Sequence, residues 1–234
     1  MGQSGAARRW VRAALIRVVP AALRRRLVAR FPRLPLAPSS VGLAGARFDG
    51  SSWERFYAAE DPYGLGASAY EREKYGRTLE LIGDGPFARA LEVGCSVGVF
   101  TALLAPRCGL LLAIDISENA VRQARARVGS WPQVTCERRT LPAQMPPGLF
   151  DLVVCSDVLY YWSVEDLRAA LRVFEGALAP GGRLVAAHYR PNAERGASLD
   201  GDLVHDLLAR ESTLAHADGR IYEKYRIDRF ERPA

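Results

Sequence analysis

A chain of 234 residues, 49% of them hydrophobic, is long enough for one α/β domain with a complete core. No apolar run reaches about 18 residues, so the sequence predicts no transmembrane helix. The net charge of +6 is unevenly placed, because residues 1–47 hold ten arginines and no acidic residue. The rest of the chain is therefore acidic on balance, and the basic total does not describe the surface of a catalytic domain.

The cysteines and histidines give no sign of a metal site or of a disulfide framework. No C-x-x-C spacing occurs, and no cysteine stands at metal-ligand spacing from a histidine. We therefore expect no metal, free thiols and a reducing, cytoplasmic setting. The residues concerned are Cys95, Cys108, Cys136, Cys155, His188, His205 and His216.

Residues 1–47 are predicted to form a basic arm separate from a folded domain at 48–234. Apolar residues from Trp10 to Val18 recur at helical spacing with arginines between them, which is typical of a basic amphipathic helix. Prolines at positions 32, 35 and 38 then end regular structure. The arm is either a weak contact for a membrane surface or an acidic partner, or a mobile, soluble extension.

Residues 48–86 are rich in aromatic and charged residues, which predicts a helical lid of two helices joined by a turn. The second helix opens at Tyr70 and carries Glu71 and Glu73 in its first turn, where the helix dipole favours acidic side chains. The aromatic side chains either close over a cofactor and a substrate or pack these helices onto the domain.

Residues 87–190 alternate between continuous apolar runs and segments of helical spacing, the pattern of βαβ units in a cofactor-binding core. Continuous apolar strands are buried on both faces, as in a parallel sheet. Strands are predicted near 90–93, 110–114, 133–136, 150–155 and 183–187, and helices at 99–105, 118–128 and 165–178. Residues 191–234 predict a helix at 202–210 and an antiparallel hairpin with strands near 212–216 and 224–231.

The first strand breaks into a glycine turn that leads directly into a helix. Glycines at 94 and 98 permit a sharp turn and a close approach of the backbone to a ligand. A dinucleotide site would have G-x-G-x-x-G facing a pyrophosphate, but here Ser96 stands in place of the middle glycine. Glu92 brings a carboxylate to the strand end, which argues against phosphate and favours S-adenosylmethionine (SAM), a ligand with an ammonium group and hydroxyls. Gly94 and Gly98 are therefore predicted to cradle SAM.

Asp115 ends the second predicted strand, where it can accept hydrogen bonds from both hydroxyls of a ribose. The same geometry serves NAD, which stays the rival cofactor, and a helix cap is the structural alternative for Asp115. Cys95 is either a small residue beside the cofactor or a thiol whose pKa a helix N-terminus lowers. Ile116 and Ser156 complete the predicted cofactor set.

Asp157 and Tyr160 follow the fourth predicted strand and His188 ends the fifth, at the sheet edge where α/β proteins bind their substrates. Asp157 is predicted to accept a hydrogen bond from a nucleophile and to draw its proton, or else to be a structural partner of a backbone amide or an arginine. His188 is either a second base or an ordinary hydrogen-bonded histidine.

Four segments together resemble a class I SAM-dependent methyltransferase, namely residues 91–98, 114–117, 150–161 and 178–182. Within that superfamily, residues 61–63, 95–96, 156–161 and 225–228 are similar to the nodulation S (NodS-like) group. The resemblance covers about residues 50–232 and leaves out the basic arm. It implies a Rossmann-like α/β fold with a mostly parallel seven-stranded sheet, SAM as cofactor, and N-methylation of the free amine of a partly deacetylated chitooligosaccharide.

We therefore expect a methyltransferase that acts on a small molecule, first the amine of an amino sugar and second the hydroxyl of a metabolite. Such an enzyme needs little beyond alignment of the nucleophile with the methyl group, at roughly 3 Å. No nucleic acid partner is expected, because residues 156–159 lack the Asn/Asp-Pro-Pro-aromatic sequence of nucleic-acid amino-methyltransferases. A module that binds SAM without catalysis is the alternative of another class.

Overall fold

The computed structural model describes residues 50–190 and 199–234, and residues 1–49 and 191–198 lie outside this description. The basic arm at 1–47, with the membrane or partner contact predicted for it, falls in the part that is not described. Among the described helices, none has both the length and the apolar character that crossing a bilayer requires.

The described residues form one seven-stranded sheet. Its strands are β1 Ala90–Val93, β2 Leu111–Asp115, β3 Val134–Arg138, β4 Phe150–Ser156, β5 Leu178–Tyr189, β6 Ala215–Ile221 and β7 Tyr225–Glu231. They lie in the order β3-β2-β1-β4-β5-β7-β6, with the first five parallel and β7 antiparallel to both of its neighbours. The predicted parallel sheet with an antiparallel C-terminal hairpin is confirmed.

The helices cover both faces of this sheet. They are α1 Gly50–Phe56, α2 Ala69–Ile82, α3 Val99–Leu104, α4 Glu118–Val128, α5 Val164–Ala177 and α6 Gly201–Glu211, with short 3₁₀ turns at Ala105–Arg107 and Leu159–Tyr161. Leu91 and Val153 face a core that also contains Phe174 of α5. Ala90 and Leu152 face the opposite core, against α2 and α3. Because successive strand residues point to opposite faces, strands covered on both sides must be apolar throughout, as predicted.

The hairpin strand predicted near residues 212–216 is wrong in position, because β6 runs from Ala215 to Ile221. Ser212 instead ends α6, where its N–H donates to the carbonyl of Leu208 and its hydroxyl accepts from the N–H of Leu214. The true strand is largely exposed, and β7 is its only partner within residues 50–190 and 199–234. An edge strand of this kind has no buried face, so it lacks the apolar alternation that a sequence prediction uses.

Candidate active site

The glycine turn after β1 is packed so closely that side chains are excluded at its two glycines. Gly94 and Gly98 have φ angles of 76° and 78°, in the left-handed region that favours glycine. A Cβ atom on Gly94 would lie 2.8 Å from Val158, and one on Gly98 would lie 2.8 Å from the Cα atom of Ala124 in α4. The turn is therefore a bare backbone cradle at the carboxyl end of β1, an inner strand of the sheet.

Glu92 in β1 brings a carboxyl group into the protein interior beside this cradle. It is only 2% exposed, and its Oε2 atom has no hydrogen-bond partner among the residues that the structure describes. Burial raises the pKa of Glu92 to about 8, against the opposing effect of the Thr101 side chain. A buried acceptor without a partner is costly, so this atom fits a ligand that brings a donor such as an ammonium group.

Asp115 at the end of β2 holds the turn in place. Its carboxylate accepts the N–H of Ser96 at 3.0 Å and the N–H of Ser117 at 3.0 Å. Burial raises the pKa of Asp115 to about 6, although these backbone hydrogen bonds act to lower it. The side-chain cap of α4 is Ser117, whose hydroxyl accepts from Ala120. Each carboxylate oxygen keeps a second lone pair, which fits the predicted role toward ribose hydroxyls.

The other predicted cofactor residues lie around the same turn. Cys95 is buried, and burial raises the pKa of its thiol far above the usual range. The expectation of a thiol with a lowered pKa is thus wrong, and Cys95 is a small buried side chain. Ile116 packs against an aromatic cluster, and Ser156 ends β4 half-buried opposite Ala187.

The aromatic cluster lies over the glycine turn and is formed by Trp53, Phe56, Tyr57, Tyr63 and Tyr161. These rings pack with Val97 of the turn and with Ala120 of α4. Trp53 and Tyr161 have ring centroids 4.8 Å apart, and the hydroxyls of Tyr63 and Tyr161 are 3.2 Å apart. The rings attach α1 to the domain, which matches the packing alternative, and closure over a cofactor and a substrate stays a prediction.

Polar contacts anchor α1 to the start of α4. The Glu54 carboxylate accepts the hydroxyl of Ser117 at 2.7 Å and the N–H of Asn119 at 3.2 Å. The side-chain amide of Asn119 donates in turn to the carbonyl of Glu54 at 3.0 Å. Ser117 follows Asp115 by two residues, so the anchor of α1 and the acidic end of β2 share one short segment.

Asp157 lies just past β4 at the carboxyl edge of the sheet, with a φ angle of 51°. Its Oδ1 atom accepts the hydroxyl of Tyr160 at 3.0 Å and the N–H of Tyr189 at 2.9 Å, while Oδ2 pairs with the ammonium of Lys74. Burial alone would raise the pKa of Asp157, but Lys74 outweighs it and holds this pKa below its usual range. Asp157 is therefore a carboxylate and a strong hydrogen-bond acceptor.

Lys74 is the residue of this site that the sequence prediction missed. Its side chain is 1% exposed and lies between Asp157 and Glu71, whose Oε2 atom is 2.7 Å from Nζ. Burial would lower the pKa of Lys74, but the two carboxylates raise it, so it stays a cation. A signal existed, because Lys74 stands at helical spacing from the buried residues Thr78 and Leu81 of α2.

His188 is fully buried near Asp157, and both of its ring nitrogens are engaged. The N–H of Leu159 donates to Nε2 at 3.2 Å, and Nδ1 lies 3.1 Å from Nε2 of His205. Burial and the neighbouring His205 lower the pKa of His188 well below its usual value. In this arrangement neither nitrogen is open to a proton from a substrate, which matches the hydrogen-bonded alternative.

These features define a class of protein. A mostly parallel sheet with a glycine turn after β1, an acidic end to β2 and an antiparallel β7 is the Rossmann-like fold of class I methyltransferases. The family model for Nodulation protein S (NodS) matches residues 51–212. The chain belongs to the NodS family.

The relatives support this assignment over part of their length. Nodulation protein S of Bradyrhizobium diazoefficiens is 37% identical over 134 residues, which are 56% of this chain and 64% of that protein. Nodulation protein S of Sinorhizobium fredii is 39% identical over 133 residues, which are 56% of this chain and 62% of that protein. The chain thus spans less than two thirds of these curated relatives.

A solved structure matches over more of the chain. N-methyltransferase NodS from Bradyrhizobium japonicum WM9, in complex with S-adenosyl-L-homocysteine, has a TM-score of 0.70 and 30% sequence identity. The match covers 79% of this chain and 98% of that one. The fold predicted from the sequence therefore agrees with that of a family member.

Proposed function

We propose that the chain is a SAM-dependent methyltransferase whose acceptor is an amine on a small molecule, an amino sugar being the first candidate. The observation that carries this proposal is the carboxylate of Asp157, which Lys74 keeps ionised at the substrate edge of the sheet, beside the turn that begins at Gly94. The crystallised NodS is an N-methyltransferase, which supports the same choice.

The residues present fit SAM. We assign the ammonium group to Glu92, because nothing in the described part of the chain hydrogen-bonds to its buried Oε2, and the ribose to Asp115. Gly94, Gly98, Cys95 and Ser96 form the backbone wall, and Ile116 and Ser156 flank it. When bound, SAM supplies a methyl group on a sulfonium that departs as a neutral thioether.

Asp157 orients the acceptor. Its Oδ1 atom already accepts two hydrogen bonds, so it is Oδ2, with the lone pair that Lys74 does not use, that accepts a hydrogen bond from the acceptor N–H and so directs the nitrogen lone pair toward the methyl carbon. As the new N–C bond forms and the C–S bond breaks, positive charge develops on nitrogen, and the negative Asp157 stabilises it. The extra proton of the resulting ammonium then passes to solvent. Tyr160 donates to Asp157 and fixes the direction of the carboxylate.

Methylation of a hydroxyl is the second candidate, and the same geometry disfavours it. A hydroxyl must lose its proton as it attacks, so it needs a base of higher pKa than an amine acceptor does. The pKa of Asp157 is held low, and both nitrogens of His188 are engaged.

We propose no role on nucleic acid. We place the chain in the cytoplasm because its four cysteines are free and buried.

Mass spectrometry with labelled SAM tests this function. The full chain is incubated with deacetylated glycans, simple amines and phenols, and label is expected on amines only. Label on hydroxyls alone would reverse the ranking, and label on RNA or protein would end the small-molecule proposal. Binding of S-adenosylhomocysteine without any transfer would favour a non-catalytic module.

The variant Asp157→Asn tests the residue itself. Asparagine tolerates positive φ and keeps the size of the side chain, so the backbone is preserved. We expect kcat to fall by about 10²-fold or more, with little change in affinity for S-adenosylhomocysteine. Asp84→Asn is the matched control, because Asp84 is exposed and precedes the amino end of β1, whereas Asp157 lies at the carboxyl edge of the sheet. Equal losses of turnover and affinity in Asp157→Asn would make Asp157 a structural residue.

A further inference from the structure

We propose that a buried relay of His188, His205 and Asp228 positions the 3₁₀ turn Leu159–Tyr161, and that these three are positioning residues for the reaction. The inference rests on the proposed function, because it concerns the turn that carries Tyr160. It assigns a role to two side chains, on α6 and β7, that lie outside the predicted site.

The relay is continuous from β7 to the turn. Asp228 Oδ2 lies 2.6 Å from Nδ1 of His205, and His205 Nε2 lies 3.1 Å from Nδ1 of His188. His188 Nε2 then accepts the N–H of Leu159 at 3.2 Å. His188, His205 and Leu159 are fully buried and Asp228 is 2% exposed, so water does not compete for these bonds.

The chemistry of the endpoints sets the position of every proton in the relay. The Leu159 N–H is a donor, so Nε2 of His188 must be unprotonated and its Nδ1 carries the hydrogen. That hydrogen points to Nε2 of His205, which must accept it, so His205 also carries its hydrogen on Nδ1. The Asp228 carboxylate is acceptor-only and receives that hydrogen. The structure assigns the Nδ1–H tautomer to both histidines.

Asp228 is held in its ionised form, which keeps this order fixed. Arg226 Nε lies 2.7 Å from Oδ2, and His216 Nε2 lies 2.9 Å from Oδ1. Burial would raise the pKa of Asp228, but its contacts with His205, His216 and Arg226 lower it to about 2. The Asp228 carboxylate therefore stays ionised throughout the neutral pH range and always accepts the hydrogen bond from His205.

The turn Leu159–Tyr161, at the other end of the relay, contacts both the acceptor side of the site and its cofactor side. Tyr160 donates its hydroxyl to Asp157, and the Tyr161 ring contacts Trp53 of the aromatic cluster. The His188 ring also packs edge-on against Tyr160, with centroids 5.3 Å apart. A shift of the Leu159 amide would therefore move the acceptor side and the cofactor side together, and displacements near 1 Å cost rates of about 10²-fold.

Variants at position 188 separate positioning from general packing. Glutamine can accept the Leu159 N–H and still donate to His205, whereas leucine fills the space and can do neither. We expect His188→Leu to lower kcat about 10-fold to 100-fold per folded molecule, with affinity for S-adenosylhomocysteine nearly unchanged, and His188→Gln to restore most of the rate. Glu80→Gln is the control, because Glu80 is exposed on α2 and its ion pair is with Arg77, which does not belong to the relay.

A second variant keeps the test decisive if His188→Leu does not fold. In Asp228→Asn a single amide oxygen faces donors from His205, His216 and Arg226, so the relay loses its fixed endpoint. We expect a fall in kcat of about 10-fold or more with the fold retained. An unchanged kcat per folded molecule in this variant and in His188→Leu would overturn the proposal.

Nuclear magnetic resonance of the full chain labelled with ¹⁵N-histidine gives a readout that needs no turnover. We expect protonated Nδ1 and bare Nε2 on both His188 and His205 at neutral pH. A hydrogen on Nε2 of His188 would overturn the relay. If the parent protein methylates no acceptor, the proposed function fails by itself, and this tautomer measurement still decides the relay.

Discussion

Replacing Lys74 with methionine tests the electrostatic core of the site. The change keeps the apolar stem but leaves the carboxylates of Asp157 and Glu71 without their shared cation. Removing one partner of a buried ion pair costs about 3–5 kcal/mol. The Asp157 side chain is 26% exposed and the Glu71 side chain is 13% exposed. Water therefore partly solvates both carboxylates, and we expect a loss of stability near the lower end of that range. A loss near 3 kcal/mol corresponds to a fall in Tm of about 6–12 °C.

The pH dependence of this loss has a definite sign. In the parent protein the pKa of Asp157 is lowered, so its stabilisation is present above the unfolded pKa of about 3.9 and is lost as pH falls through the folded pKa. Without Lys74 the folded pKa rises above the unfolded value, and the ionised form becomes a penalty. The deficit of Lys74→Met is therefore largest at neutral pH and narrows toward pH 5.

Urea unfolding followed by circular dichroism at pH 7.5 and pH 5 measures this deficit. The variants Lys74→Met, Asp157→Asn and their combination form a cycle, and we expect the double variant to lose less than the two single losses together. Arg77→Met is the control, because Arg77 pairs with Glu80 on the surface of α2, and its unfolding midpoint should not change. A loss below about 1 kcal/mol, well under the cost of opening a buried pair, or an equal deficit at both pH values, would refute the reasoning.

Three further predictions concern the cradle. Glu92→Gln should fold normally yet bind S-adenosylhomocysteine at least about tenfold more weakly, since an amide loses the charge-assisted bond; calorimetry that finds equal affinity would exclude the ammonium assignment. Affinity should fall as pH drops through about 8, the pKa of Glu92, and again below about 6, the pKa of Asp115, because a protonated carboxyl accepts fewer hydrogen bonds; Asp115→Asn should bind weakly and show only the first of these two falls. Gly98→Ala should lower Tm through contact with Ala124, whereas Gly176→Ala, in open space on α5, should stabilise by about 0.5–1 kcal/mol; similar melting temperatures would show that the cradle tolerates a side chain.

The features that can be predicted from the sequence depend on residues that lie close together in the chain. The apolar runs of β1 and β4, the glycines at 94 and 98 and the acidic end of β2 each depend on local spacing. Because carboxyl ends of parallel strands meet at one edge, the sequence also predicts that Asp157 and His188 lie close together. The observed contacts join Asp157 to Tyr189, the residue that follows His188.

The features that cannot be predicted from the sequence depend on contacts between side chains that are far apart in the chain. Lys74 and Asp157 are 83 residues apart, so local periodicity cannot show that they pair. The role of His188 depends on its contact with His205. When that contact is not known, a histidine at a strand end can be interpreted equally well as a general base or as an ordinary hydrogen-bonded residue. β6 is missed for another reason, because it is exposed and carries no buried face.

The position of β7 in the sheet has a consequence for folding. β7 comes last along the sheet-forming part of the chain, yet it lies inside the sheet between β5 and β6. Until residues 225–231 have been synthesised, β5 therefore presents an unpaired edge, and the buried residues Leu184 and Ala186 lack their partners Phe230 and Asp228. Exposed strand edges promote aggregation, so a chain truncated before Tyr225 should be captured by chaperones or precipitate. The insertion of β7 also delivers Asp228, so completion of the sheet and completion of the relay are a single folding event.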